Sequence, residues 1–147
     1  MKVKVEIDVT PKQYFMHLCE GIIKDIKKYT GKQVALKDIL DGYYYERTVD
    51  YKNSKTVIRM NVGSLIPDKY FELSYETNDT KGRYYHDFST ENGKNYVTYF
   101  EENDYKEDGL GSYFGRMKKK FKEKSLQRKI LNNIEMTTTY IKNHDDK

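Results

Sequence analysis

Residues 3–15, VKVEIDVTPKQYF, join an alternating segment to a helix start, and the rest of the fold follows outward from that junction. Val3, Val5, Ile7 and Val9 alternate with Lys4, Glu6 and Asp8, the period of a strand with one buried and one wet face. Thr10, Pro11 and Gln13 then read as N-cap, first helical residue and reach-back partner of a capping box. Phe15, Leu18, Ile22, Ile26 and Tyr29 recur at spacings of three and four, which predicts a helix to about Thr30, stopped by Gly31 and weakened in its middle by Gly21. Residues 34–40 suggest a second, short helix closed by Asp41 and Gly42.

Downstream, Tyr, Thr, Val and Phe dominate between turn residues, the pattern of an antiparallel meander. Strands are expected over 43–50, 55–62, 70–77, 82–90 and 95–103. Asn92-Gly93 is the sharpest turn signal, since both residues tolerate the positive φ of a type I′ hairpin. Asn53-Ser54, Pro67-Asp68 and Asn78-Asp79 mark the other turns. Past Gly109 and Gly111 the sequence turns helical to about Asn143.

That last helix carries a mismatch. Phe114, Met117 and Phe121 share one helical face, whereas Leu126, Ile130, Ile134, Thr137 and Ile141 fall roughly opposite at about 100° per residue. One straight helix cannot bury both stripes against one surface, so a bend or break is expected between Lys119 and Ser125.

The 147 residues suit a single domain, 1–147, with no repeat or low-complexity linker. Fifteen Tyr and six Phe supply the ring area that folding needs despite 34% charged residues. One cysteine, Cys19, allows no intramolecular disulfide and no zinc set. The charged alternation of the first ten residues is unlike a signal peptide, and no stretch reaches the ~18 apolar residues of a membrane span. A reducing, cytoplasmic setting is the expectation.

Strand, capped helix, short helix, five-strand meander and long helix, with the opening VKVEIDVTPKQYF and the closing YFGRMKKKFKEKSLQRKILNNIEMTTTYI (113–141), resemble the helix-grip proteins of the START-like or polyketide-cyclase superfamily, also called SRPBCC. Within it they look similar to a family of small bacterial proteins of unknown function. The resemblance implies an α+β fold of order β-α-(α)-β-β-β-β-β-α, a curved antiparallel sheet of about six strands wrapped around the C-terminal helix. It further implies a cavity between sheet and helix for a small apolar or amphipathic ligand. Tyr44, Tyr75, Tyr85, Tyr99, Phe114 and Met117 are the candidate lining residues. Simple filling of the core would account for the same rings.

Catalytic chemistry finds little purchase in these residues, so a non-enzymatic protein is expected. His86 and Asp87 are adjacent in a strand and point to opposite faces, so they form no dyad. A lone histidine is more commonly a surface or hydrogen-bonded residue, although His86 would be the one handle if a cavity-bound substrate were processed. His17, His86 and His144 lack metal-ligand spacing, and the acidic run Glu101, Glu102, Asp104, Glu107 and Asp108 lacks the pattern of a calcium loop. Gly109, Gly111 and Gly115 do not match a phosphate-binding fingerprint, and no cofactor motif is present. Cys19 beside Glu20 reads as a small hydrophobe.

Charge offers the alternative function. Arg116, Lys118, Lys119, Lys120, Lys122, Lys124, Arg128 and Lys129 face only Glu123, a segment of net +7 that leaves the remainder at −3. With Tyr113, Phe114, Met117 and Phe121 this describes an amphipathic helix for an anionic membrane or an acidic protein. The bland reading is a solvated outer face. Nucleic acid is disfavoured, because no DNA- or RNA-binding signature accompanies the charge.

Overall fold

The computed structural model describes the backbone of residues 1–51, 53–105 and 112–144, with side chains except at 51, 104, 105 and 112–123. Nine elements follow in the order β1 (Lys2–Ile7), α1 (Pro11–Thr30), α2 (Leu36–Ile39), β2 (Tyr43–Tyr51), β3 (Ser54–Ile66), β4 (Tyr70–Glu76), β5 (Thr80–Glu91), β6 (Lys94–Tyr105) and α3 (Ser112–His144). The strands form one antiparallel sheet, ordered β1-β6-β5-β4-β3-β2. Local chemistry fixes the junctions. Thr10 and Gln13 make the reciprocal capping box, and Gly31 closes α1 in the left-handed conformation. Asn92 (φ 54°) and Gly93 (φ 77°) form the tight β5–β6 turn, where the positive φ favours these two residue types.

Helix α1 leads from β1 at one sheet edge back to β2 at the other. Its inner side buries Tyr14, Phe15, Cys19, Ile22 and Ile26. Against them lie Val62, Leu65, Phe71, Leu73, Phe88 and Val97 of the concave sheet face. A register shift between Val62 and Leu65 of β3 adds local curvature. Ile39 of α2 is fully buried.

Of the expected bend or break in the last helix, a break is not found among the described residues. α3 runs without interruption from Ser112 to His144, because residues 116–144 contain neither Gly nor Pro to interrupt the main chain. Its second stripe packs on the core. Ile130, Ile134 and Ile141 are buried, Leu126 and Thr137 partly so. Tyr14 of α1 bonds to Thr137, and Lys142 pairs with Asp8 at 3.3 Å. The side chains of the first stripe, Phe114, Met117 and Phe121, lie outside the described residues.

Candidate functional site

Antiparallel register decides which side chains reach the concave face. Val97 stands opposite Phe88, Tyr99 opposite His86, Glu101 opposite Tyr84 and Asn103 opposite Gly82. Tyr75 of β4 pairs with Gly82, and Tyr45 of β2 with Met60. One part of this face is therefore closed and apolar. The other gathers Tyr75, Tyr84, Tyr99, Glu101 and Asn103, and across from them Tyr45 and Arg47 of β2 with Asp25 of α1.

Each polar group of this second part is tied to a neighbour, with one exception. Asp25 Oδ2 accepts Arg47 Nε and Nη2, both at 2.7 Å, and the Tyr45 hydroxyl. Arg47 also lies over the Tyr29 ring at 5.6 Å. Tyr99 donates to Glu101 Oε2 at 3.3 Å, Asn103 Nδ2 to Glu101 Oε1 at 3.5 Å, and Tyr75 to Asn103 Oδ1. The Tyr84 ring stacks on Tyr99 with centroids 6.1 Å apart, while its hydroxyl has no hydrogen-bond partner among the described residues. Burial pushes the Tyr84 phenol up to about 12, so it stays a neutral donor and acceptor at physiological pH. Burial, then the Glu101 charge, raises Tyr99 as well.

Gly82 makes this arrangement possible. A Cβ there would collide with the end of the Tyr75 ring and with the Asn103 amide oxygen. Without it, the Tyr75 ring crosses β5 and reaches β6.

His86 occupies the boundary between the two parts. Its ring meets Tyr99 edge-on at 5.0 Å and lies within 6.4 Å of Tyr14, Phe71, Tyr84 and Phe88. It is 6% exposed, and Nδ1 has no hydrogen-bond partner among the described residues. Desolvation pushes its pKa down to about 3, so the imidazole is neutral. The expectation of a surface or hydrogen-bonded histidine is thus corrected: alternation in β5 turns His86 inward, while Asp87 faces out to Lys69 at 2.9 Å.

The sequence matches the model of a domain of unknown function, DUF3284, over residues 1–127. The chain belongs to this family. No curated protein sequence matches it. Among solved structures it is similar to Ara h 8.0201, at 8% identity and TM-score 0.58 over 98% of this chain and 97% of that one. A protein of unknown function, SA2116 from Staphylococcus aureus, aligns at 14% identity and TM-score 0.61 over 96% and 92% of the two chains. An uncharacterized Rhizobium leguminosarum protein aligns at 13% identity and TM-score 0.54 over 95% and 93%. These likenesses show the fold, a helix grip. The DUF3284 match ends inside α3, so the buried Ile130, Ile134 and Ile141 lie beyond it.

In this DUF3284 chain two of the residues expected to line a cavity are brought together on the concave face, Tyr75 and Tyr99. Tyr44 and Tyr85 are corrected, because strand alternation sends them to the convex face and puts Tyr45 and Tyr84 inside. Tyr44 is 51% exposed and bonds Glu46 at 2.8 Å. Tyr85 stacks on Phe100 at 4.9 Å under Arg83. Phe114 and Met117 lie outside the described side chains, as do Arg116, Lys118, Lys119, Lys120 and Lys122. Lys124, Arg128 and Lys129 are exposed on α3. Glu101 and Glu102 of the acidic run face opposite sides, Glu102 pairing with Arg83 at 3.2 Å. Cys19 is buried, and burial pushes its thiol up to about 12, as suits a small hydrophobe.

Asp25, Arg47, Tyr84, Asn103 and Gly82 carry no functional signal in the sequence taken singly, and Glu101 stands out there only as part of the acidic run. A signal for four of them was present: counting back from a two-residue Asn92-Gly93 turn pairs 84 with 101 and 82 with 103. A depression of about 380 Å³ also exists on the convex side, lined by Asn61, Ser74, Glu76, Lys81, Arg83 and Glu102 with Tyr75, Gly82 and Asn103 behind them. Among its charges, Arg83 pairs with Glu72 and Glu102, and Glu76 with Arg59.

Proposed function

We propose that this chain is a non-enzymatic binding protein of the START-like type that holds a small amphipathic ligand on the concave face of its sheet, in a cytoplasmic setting. One observation carries the reading: a face whose task were packing alone would continue the apolar rows of Phe71, Phe88 and Val97, yet it turns to Tyr84, Tyr99 and Glu101 beside the Asp25–Arg47 pair. Rings with hydroxyls at their ends suit a ligand that is apolar in body and polar at one point. Binding is favoured over catalysis because His86, at about 3, is too weak a base near neutral pH. Native mass spectrometry and thermal shift against a panel of apolar and amphipathic metabolites test this. The expected outcome is a bound mass and a dose-dependent shift with one chemical class, worth about 2.7 kcal/mol at a hundredfold excess over Kd. No bound mass and no shift across the panel would remove the reading.

A second reading rests on the continuity of α3. By sequence spacing at about 100° per residue, Phe114, Met117 and Phe121 form a stripe distinct from that of Leu126, Ile130 and Ile134, and the basic residues Arg116 to Lys129 share its stretch of sequence. That favours docking to an anionic membrane or an acidic protein, at about 1 kcal/mol per basic residue near an anionic surface. Sedimentation with anionic vesicles checks it: the parent pellets, and a variant with Lys118, Lys119, Lys120 and Lys122 changed to Gln stays in solution. Equal pelleting by both would remove this reading.

A further inference from the structure

The charges of the concave site select among amphipathic ligands. Arg47 is the one basic side chain there among the described residues, and Asp25 takes its guanidinium through two nitrogens at 2.7 Å. Its charge is thereby answered within the protein, and the Tyr29 ring covers it further. Glu101 is in the reverse position. Its carboxylate receives the Tyr99 hydroxyl and the Asn103 amide, both neutral donors, and no cation pairs with it among the described residues. The Met1 ammonium nearby donates to the main-chain oxygen of Glu101 at 2.8 Å, in the β1–β6 ladder. Glu101 stands directly across from Tyr84 and two residues from Tyr99, whose rings stack. In contact with both rings, His86 holds a buried Nδ1 without a partner among the described residues. A carboxylate with no cation on it among the described residues, beside stacked π faces, attracts a cation, since ring faces are negative and desolvation strengthens the attraction.

We propose that the ligand is an amphipathic organic amine, its ammonium held by Glu101 against the Tyr84 and Tyr99 rings. This rests on the reading of the concave face as a ligand site and names the class of ligand for it. An anionic head group would meet Glu101 without a free guanidinium to receive it. A neutral one would leave the carboxylate uncompensated.

The test uses the full chain and four probes of equal chain length: octylamine, octyltrimethylammonium, octanol and octanoate, titrated by calorimetry. The expected result is that both cations bind about tenfold or more tighter than octanol, and octanoate weakest. Glu101→Gln should reduce that preference to about twofold while octanol affinity stays within about twofold of the parent. Tyr84→Leu, a second variant that leaves the carboxylate in place, should weaken octyltrimethylammonium more than octanol; circular dichroism verifies that both variants fold. If octanol or octanoate binds as well as the cations, or Glu101→Gln leaves the preference intact, the amine assignment is overturned and the concave ligand site survives. Binding by none of the four overturns the amine assignment; the metabolite panel then decides separately whether the ligand site falls too.

Discussion

The closed and the polar parts of the concave face share strands β5 and β6 and differ in what their side chains do for one another. In the closed part, Phe88 and Val97 face each other across the ladder, with Phe71 and Phe15 meeting edge to face at 6.4 Å and Tyr14 lying 5.4 Å from Phe88. The Tyr14 hydroxyl, bonded to Thr137, is the one side-chain polar group among these residues, and the area removed from water stabilises the fold directly. A few residues along the same strands, Tyr84, Tyr99, Glu101 and Asn103 satisfy one another sideways. Such groups add little net stability, so their presence points to something other than packing. The largest effect should therefore follow from Phe88→Ala, a loss of about 3–5 kcal/mol in urea unfolding. A loss below about 1 kcal/mol would break the comparison at its stable side.

His86 stands where the two parts meet, and its titration separates them. Its folded pKa, near 3, lies below the ordinary 6.5, so the unfolded chain takes up the proton first. The stability His86 contributes is complete above pH 6.5 and is lost as pH falls toward 3, by up to about 1.4 kcal/mol per pH unit. Between pH 7 and 5 the parent should lose about 2 kcal/mol on this account. His17 is also depressed by burial and adds a loss of the same sign, so the diagnostic quantity is the difference from His86→Phe, which should be flatter over that range. Parallel profiles for the two proteins would mean that His86 is solvated in the native state.

Asp25→Asn probes the polar part where it touches α1. It leaves the half-buried Arg47 guanidinium without its counter-charge and weakens the bond from the Tyr45 hydroxyl, for a cost of about 1.5 kcal/mol in urea unfolding. A change below about 0.5 kcal/mol would class the pair with ordinary surface ion pairs.

Much of the fold was legible because local signals agreed with one another. Val3 to Val9 alternated, Thr10 to Gln13 capped a helix, and Asn92-Gly93 turned a hairpin, each reporting a constraint acting within a few residues. The site was harder to read. Tyr44 and Tyr45, or Tyr84 and Tyr85, are neighbours of one residue type on opposite faces, and composition cannot say which tyrosine of a pair turns inward. Only the register does, and a slip of one residue exchanges the faces. Asp25 and Arg47 meet through tertiary packing, 22 residues apart in the chain. In α3 the face change of the apolar pattern points to a bend or break; the helix is not broken, since the residues between 119 and 125 favour helix throughout.

The smallest effect on stability should come from Tyr84→Phe, and its smallness is the point of the comparison. Nothing among the described residues bonds the Tyr84 hydroxyl, so removing it strands no protein group, and the ring keeps its stack on Tyr99. Stability should stay within about 0.5 kcal/mol of the parent. Ligand binding should respond differently, because a hydroxyl maintained without a structural partner is available to a ligand. If Tyr84→Phe instead cost as much as Asp25→Asn, the hydroxyl would belong to the scaffold, and the polar part of the face would be a second, hydrogen-bonded core and not a place kept for something else.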